Sequence, residues 1–224
     1  PLTVWGAVCV AIFVVLFLVA LFKRRTWLAV SVSCIAVFVM LAYFLFVRTA
    51  DEGNYMIIYN NRKNPLLHLV YKGGDNYLVS TVPQLDAEYE YVSKPFLQQC
   101  ALPIPQWVSY GYNDSLVQYN DGLFVFDDIK VKMLDNPHWA ENVNAEPVDI
   151  LVLCRGFLGR INKLLKIYPA SCVVVDASLY KHSRERIIRE YSQLGIEVVD
   201  IADTGAMKVV VQDGNFDLIP MRDK

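Results

Sequence analysis

Val148-Asp-Ile-Leu-Val-Leu-Cys154 decides the fold of this chain. All but Asp149 are apolar, and the run is too short for an ordinary helix. A near-continuous apolar stretch of this length reads as a strand covered on both faces, which implies a sheet buried between layers. The same grammar repeats downstream. A helical stretch around Leu158–Ile167 leads into a second apolar strand, Ser171–Asp176 (SCVVVD). The charged amphipathic stretch Lys181–Leu194, stopped by Gly195, precedes strands at Ile196–Ile201 and Ala206–Val211. Strand and helix in alternation predict right-handed β-α-β crossovers with helices on a face of the sheet.

Upstream of Glu146-Pro147 the pattern changes to a meander. Tyr55–Tyr59 and Leu66–Tyr71 read as strands, Gly73-Gly74 turns the chain into Tyr77–Thr81, and a helix is expected from Gln84 to about Gln99. The Pro-marked stretch Leu102–Pro105 leads to Leu116–Tyr119, and Asn120-Asp121-Gly122 signals a hairpin before Leu123–Phe126. Ile129–Leu134 alternates, with Lys130 and Lys132 expected to point outward.

Two uncharged apolar runs, Leu2 to Phe22 and Thr26 to Val47, precede all this and flank Lys23-Arg24-Arg25. About 20 residues of helix span the roughly 30 Å hydrocarbon core, so the runs predict a transmembrane helical hairpin. Trp5, Trp27 and Tyr43 lie toward the run ends, where aromatic rings favour the interface. The basic cluster makes Lys23, Arg24 and Arg25 the topology determinants: the tip faces the cytoplasm and residues 49–224 lie outside. A signal peptide is the competing reading, but it would open on a basic region, and no charge precedes Lys23. The chain opens on Pro1, which we read as a piece of something longer. The expected organisation is a hairpin over 1–48, a soluble domain over 52–214 and a tail over 215–224.

Removing the three basic residues of the hairpin leaves 18 Lys+Arg against 23 Asp+Glu, so residues 48–224 carry −5. That is an ordinary globular composition, and its acidic balance argues against a nucleic-acid grip, which needs clustered basic residues. None of the five cysteines forms a C-x-x-C pair, and none of the three histidines forms an H-x-H pair. Cys154 and Cys172 read as small buried hydrophobes.

Val148–Leu153, the phrase Pro169-Ala-Ser-Cys-Val-Val-Val-Asp-Ala-Ser178 and Gly195-Ile-Glu-Val-Val leading to Asp203-Thr-Gly-Ala206 stand in a distinctive order. With Tyr55-Met-Ile-Ile-Tyr-Asn60 upstream, this order resembles the carboxyl-terminal end of the ComEC family of competence proteins. That resemblance implies an inner-membrane channel for incoming DNA whose last module is a reduced, metallo-β-lactamase-like α/β sandwich. The departures bear on function. Family members with a working metal site carry H-x-H-x-D-H, absent here, and an H-H-G-S segment where this chain reads Cys154-Arg155-Gly156-Phe157. Only Gly156 is kept, and Arg155 brings a charge that repels a cation. Tyr180-Lys181-His182-Ser183 loosely matches a Y-G-H-P segment, which makes His182 a relic ligand by resemblance. A solvated histidine at a helix start is the simpler reading, and we adopt it.

Other constellations are no stronger. Asp176 and Ser178 sit at a strand end, where α/β enzymes place working residues, yet no G-x-S-x-G elbow surrounds them. Asp176 also reads as a cap for the loop that follows. Gly156-Phe-Leu-Gly159 is too short for a phosphate-binding loop, and the basic run Lys181–Arg189 interleaves with Glu185 as a solvated helix face does.

The relic region therefore comprises Cys154, Arg155, Gly156, Asp176, Ser178 and His182, with no catalytic residue, no metal and no cofactor expected. The expected fold class is a two-helix transmembrane hairpin followed by a mixed α/β, metallo-β-lactamase-like sandwich. Its expected function is that of the terminal part of a ComEC-like inner-membrane, multi-pass channel for single-stranded DNA, with a structural or gating domain on the periplasmic or extracellular side. The expected partners are the membrane, the rest of the channel domain and, through the full-length protein, single-stranded DNA; a homo-oligomer stays open. Two alternatives also stay open: a metal-dependent nuclease or hydrolase, and an unrelated membrane-anchored binding or sensor domain.

Overall fold

The computed structural model describes Trp27, Ser31, Ser33, Cys34, Ile35, Phe38 and Val39, together with residues 53–82, 86–100, 102–138, 147–212 and 214–221. The chain divides into two units, Pro1–Asp51 and Glu52–Lys224. Among the described residues no helix is long and apolar enough to cross a membrane. The expected fold class is corrected accordingly: in place of a transmembrane hairpin ahead of the domain, the structure has a mixed α/β sandwich of two sheets. Most of the two apolar runs, with Lys23, Arg24 and Arg25, lies outside the described residues. Those described within them are helical, with Trp27 87 % and Phe38 70 % exposed.

The first sheet contains β1 (Tyr55–Ile58), β2 (Leu67–Val70), β3 (Asn76–Val79), β4 (Gln106–Val108), β11 (Met207–Gln212) and β12 (Asn215–Pro220), in the order β12-β11-β1-β2-β3-β4. The second contains β5 (Tyr119–Asn120), β6 (Leu123–Phe126), β7 (Ile129–Leu134), β8 (Val148–Leu153), β9 (Ala170–Val175) and β10 (Val198–Asp200), in the order β10-β9-β8-β7-β6-β5. From β7 to β10 the strands run parallel. Helix α1 comprises Asp86–Glu88, a π-helical stretch Tyr89–Ser93 and Lys94–Cys100. Helices α2 (Ile161–Ile167) and α3 (Lys181–Leu194) follow β8 and β9, and the short α4 (Ile201–Thr204) follows β10.

The period-2 alternation of strands distributes the core. Met56, Ile58, Leu67 and Leu69 of the first sheet share a cluster with Phe124, Val131, Ile150, Val152 and Val174 of the second. On the far face of the second sheet, Leu151, Leu153, Val173 and Val175 pack against Leu164 of α2 and against Ile187 and Tyr191 of α3. On the far face of the first, Tyr55, Ile57 and Leu78 meet Tyr89, Val92 and Phe96 of α1. Four layers result, and the apolar run of β8 is explained: Ile150 and Val152 face one core, Leu151 and Leu153 the other. Burying those four side chains contributes on the order of 8 kcal/mol before chain entropy is subtracted.

Two local readings change. Residues 215–220, expected in a tail, form β12 and pair antiparallel with β11 from Gln212↔Asn215 to Met207↔Pro220. Phe216 and Leu218 pack against the inter-sheet core while Asn215 and Asp217 alternate with them, and this polar half hides the strand. Lys132, expected to point to water, is buried. Its Nζ donates to the Asp121 main-chain oxygen and to Asp121 Oδ2 at 3.1 Å, and lies 5.4 Å from the Tyr168 ring centroid. Both faces of this sheet are covered, so alternation alone does not distinguish a wet face, and the lysine stem packs as an apolar group. The turn it holds approaches β7 closely: Met133 N–H donates to Gly122 O at 2.7 Å, and a Cβ on Gly122 would lie 2.4 Å from Met133 O.

His68 is buried between sheet and α1 rather than near any other histidine. The Asn76 amide nitrogen faces the Gly74 and Pro103 carbonyls at 3.3 Å each, so its oxygen accepts from His68 Nε2 at 3.1 Å. That leaves Nδ1 to accept from the Tyr59 hydroxyl at 3.0 Å. Burial holds the imidazole down at about 4 against the ordinary 6.5, with the Asn76 bond pulling weakly the other way. The neutral ring therefore stabilises the fold fully above pH 6.5. That stability is lost as pH falls through 6.5 toward 4, because the unfolded chain takes up a proton that the folded one refuses. A His68→Gln variant lacks this dependence. Its stability deficit against the parent, measured by urea unfolding, should shrink by roughly 3 kcal/mol between about pH 7 and about pH 4.

Candidate functional site

Parallel strands place their carboxyl ends side by side, and in open α/β sheets ligands bind beyond those ends. The ends of β7, β8 and β9 bring together Asp135, Cys154-Arg155-Gly156 and Asp176-Ala177-Ser178. Cys154 N–H donates to Leu134 O at 2.8 Å and Asp176 N–H to Leu153 O at 3.0 Å, so the parallel pairing continues to the site itself. Gly156 makes the fit possible. Its φ is 101°, and a Cβ there would lie 1.9 Å from Asp135 O, closer than any side chain tolerates.

Asp176 organises the loop after β9. Its Oδ1 accepts from Ser178 N–H at 2.9 Å, and Ser178 Oγ in turn accepts from Arg155 N–H at 3.1 Å, tying the two strand ends together. The carboxylate is fully buried, and among the described residues its Oδ2 has no hydrogen-bond partner. Burial drives its pKa up to about 6 against the pull of Ser178 and Ala177. Cys154 is equally buried, its Sγ facing Val152 O at 3.7 Å. Burial first, and then the charges of Asp176 and Asp135, hold the thiol well above its ordinary value. It stays neutral, whereas a metal ligand or nucleophile must be a thiolate.

Above this buried layer lies an exposed one. Arg155 reaches Tyr180, with Nη2 donating to the phenol oxygen at 3.0 Å and the guanidinium carbon 5.3 Å from the ring centroid. Tyr180 stacks with His182, centroids 6.0 Å apart and planes 12° from parallel. Arg155, Ser178 and Asp176 thus form one hydrogen-bonded unit, Cys154 and Gly156 flank Arg155 in the chain, and His182 joins only through Tyr180. Asp135 was not singled out in the sequence; the polar residue directly after the apolar strand β7 was its only signal.

This donor set does not fit a metal. Among the described residues no group of three or more His, Cys, Asp or Glu side chains is placed to hold an ion. What these strand ends and the start of α3 offer is one buried carboxylate, a neutral thiol, a serine hydroxyl, an arginine and the exposed His182. His68 lies on the outer face of the other sheet, and His138 is exposed after β7. A lone buried carboxylate costs stability, and the sign of that cost with pH follows from the raised pKa. The folded state binds the Asp176 proton more tightly than the unfolded chain. The cost is therefore full above about pH 6 and disappears as pH falls toward 3.8. Asp176→Asn keeps the acceptor for Ser178 and removes the charge. It should raise stability by roughly 2 kcal/mol at neutral pH, with the gain vanishing near pH 4, as read by urea unfolding at both. Gly156→Ala should lower it by roughly 3 kcal/mol or prevent folding, because backbone must move.

A family model for the ComEC C-terminal domain matches residues 56–211, from within β1 to within β11. None of the curated proteins compared with the chain matches it.

Proposed function

The chain belongs to the ComEC family, and from that premise we propose that its sandwich serves DNA uptake as a structural or gating part that does not cut DNA. The family takes part in competence DNA uptake and is membrane-associated, and this chain shares that involvement through its matched domain. Our reading goes further. The domain sits beside the inner-membrane channel on its outer side, docks against the remainder of the channel, and leaves transport of the single strand to that remainder. Degradation of the other strand falls to another protein.

One observation carries this reading: the strand ends where a hydrolytic member needs converging metal ligands hold instead a neutral Cys154, the cation Arg155 and a solitary Asp176. A hydrolytic metal needs several ligands converging at about 2.0–2.3 Å and an open position for water, and a guanidinium at the mouth opposes both.

DNA uptake in competent cells carrying the full-length protein tests the proposal. Val174 is fully buried between the sheets, so Val174→Asp buries an unpaired carboxylate at a cost of several kcal/mol, comparable to the stability of a domain. Uptake should fall at least tenfold in that variant, while His182→Ala and Asp176→Asn retain near-normal uptake. Loss of uptake in His182→Ala with an unchanged unfolding transition, or in Asp176→Asn with a transition at or above the parent's, contradicts the proposal, because it would mean that these strand-end residues still work.

A further inference from the structure

We infer that the exposed crest formed by the loop Arg155–Arg160 and the first turns of α3 is a docking surface for a bilayer carrying anionic headgroups. The two segments are one surface. Arg155 bonds Tyr180, and Arg186 Nη2 donates to Gly159 O at 3.4 Å. Phe157, buried under the loop, anchors it to the core beneath α2 and α3. Its neighbour Leu158 is left 64 % exposed and Tyr180 55 %. Arg155, Arg160, Lys181 and Arg186 surround them, all exposed.

Charge complementarity selects the partner. Residues 48–224 carry −5, yet the crest is basic. Of the acidic residues beside it, Glu185 pairs with Lys181 at 3.8 Å and Glu190 with Arg186 at 3.9 Å as i,i+4 partners, and Asp135 lies behind Gly156. Among the described residues no carboxylate forms an ion pair with Arg155 or Arg160. An acidic domain that concentrates basic side chains at one rim orients that rim toward an anionic surface.

The apolar residues distinguish a bilayer from a nucleic acid. A single strand is gripped by aromatic faces left open for bases, but the Tyr180 ring already stacks with Arg155 and His182. An exposed leucine between two arginines gains nothing from a phosphodiester chain. At a headgroup layer it inserts at the acyl boundary, with Tyr180 at the interface and the arginines on lipid phosphates. The same guanidinium that repels a metal thus acquires a role, and the sandwich would lie with this rim against the membrane.

Amide hydrogen exchange on the full chain tests the inference, with vesicles of phosphatidylcholine alone and of phosphatidylcholine and phosphatidylglycerol in equal parts. Comparing the two cancels any contact that does not depend on lipid charge. Amides of 155–160 and 180–186 should exchange several-fold more slowly with the anionic vesicles, and high salt should remove the difference. Arg160→Ser should weaken the charge-dependent binding about fivefold, the worth of one basic residue near an anionic surface. Leu158→Ser should weaken it as well, with exchange in β8 and β9 unchanged in both variants as the control for folding. Equal exchange of the crest with both vesicle types overturns the inference. So does protection by a single-stranded oligonucleotide without protection by anionic vesicles, which would assign the surface to nucleic acid.

Discussion

Two-sided burial of the parallel pair β8–β9 is the constraint on which the rest of the domain depends. The register sets Ile150 beside Cys172, Val152 beside Val174 and Leu153 beside Val175, so each residue pair faces either the first sheet or the helices. Parallel neighbours require a crossover, and that crossover, α2, must cover the far face. The same geometry brings the two strand ends level. The loops after Leu153 and Val175 therefore have to meet, and the Ser178 to Arg155 bond is the form their meeting takes. Site and core are consequences of one pairing.

Features that depend on local composition were legible from the residues alone. The apolar runs of β8 and β9 could hardly be anything but covered strands. The Asn120-Asp121-Gly122 turn appears as read: Asp121 at φ 48° and Gly122 at φ 73° give the two left-handed residues of a tight hairpin. Gly195 stops α3 at φ 69°, as a left-handed cap should. Features set by tertiary context were not legible. Strand β4 lies behind two prolines and offers only Gln106-Trp-Val108, which its parallel partner β3 rather than its own composition makes a strand. Lys132 looked like a wet position because alternation does not reveal what covers a face. The membrane-hairpin expectation rested on the length and charge pattern of two apolar runs, and among the described residues no helix is long and apolar enough to cross a membrane.

The site divides in the same way. Its membership could be collected from strand ends and from family phrases, and Asp176 bonds the loop after it as a cap does. The missing partner of Asp176 Oδ2, the neutral state of Cys154 and the Arg155–Tyr180–His182 stack depend on burial and rotamers, which no spacing reports. Together they describe a strand-end region whose buried carboxylate costs stability and whose exposed layer is cationic. A ligand set for a metal has the opposite character, with several acidic or neutral donors gathered around an opening. We read the region as one in which packing and surface charge have taken the place of coordination.

The most direct test is the metal content of the purified chain together with its activity on DNA. The account predicts well under one zinc or manganese per chain, an unfolding temperature unchanged by chelator, and no hydrolysis of single- or double-stranded DNA, since a structural metal would add its binding energy to folding. One metal or more per chain, removed by chelation together with nuclease activity, would contradict it.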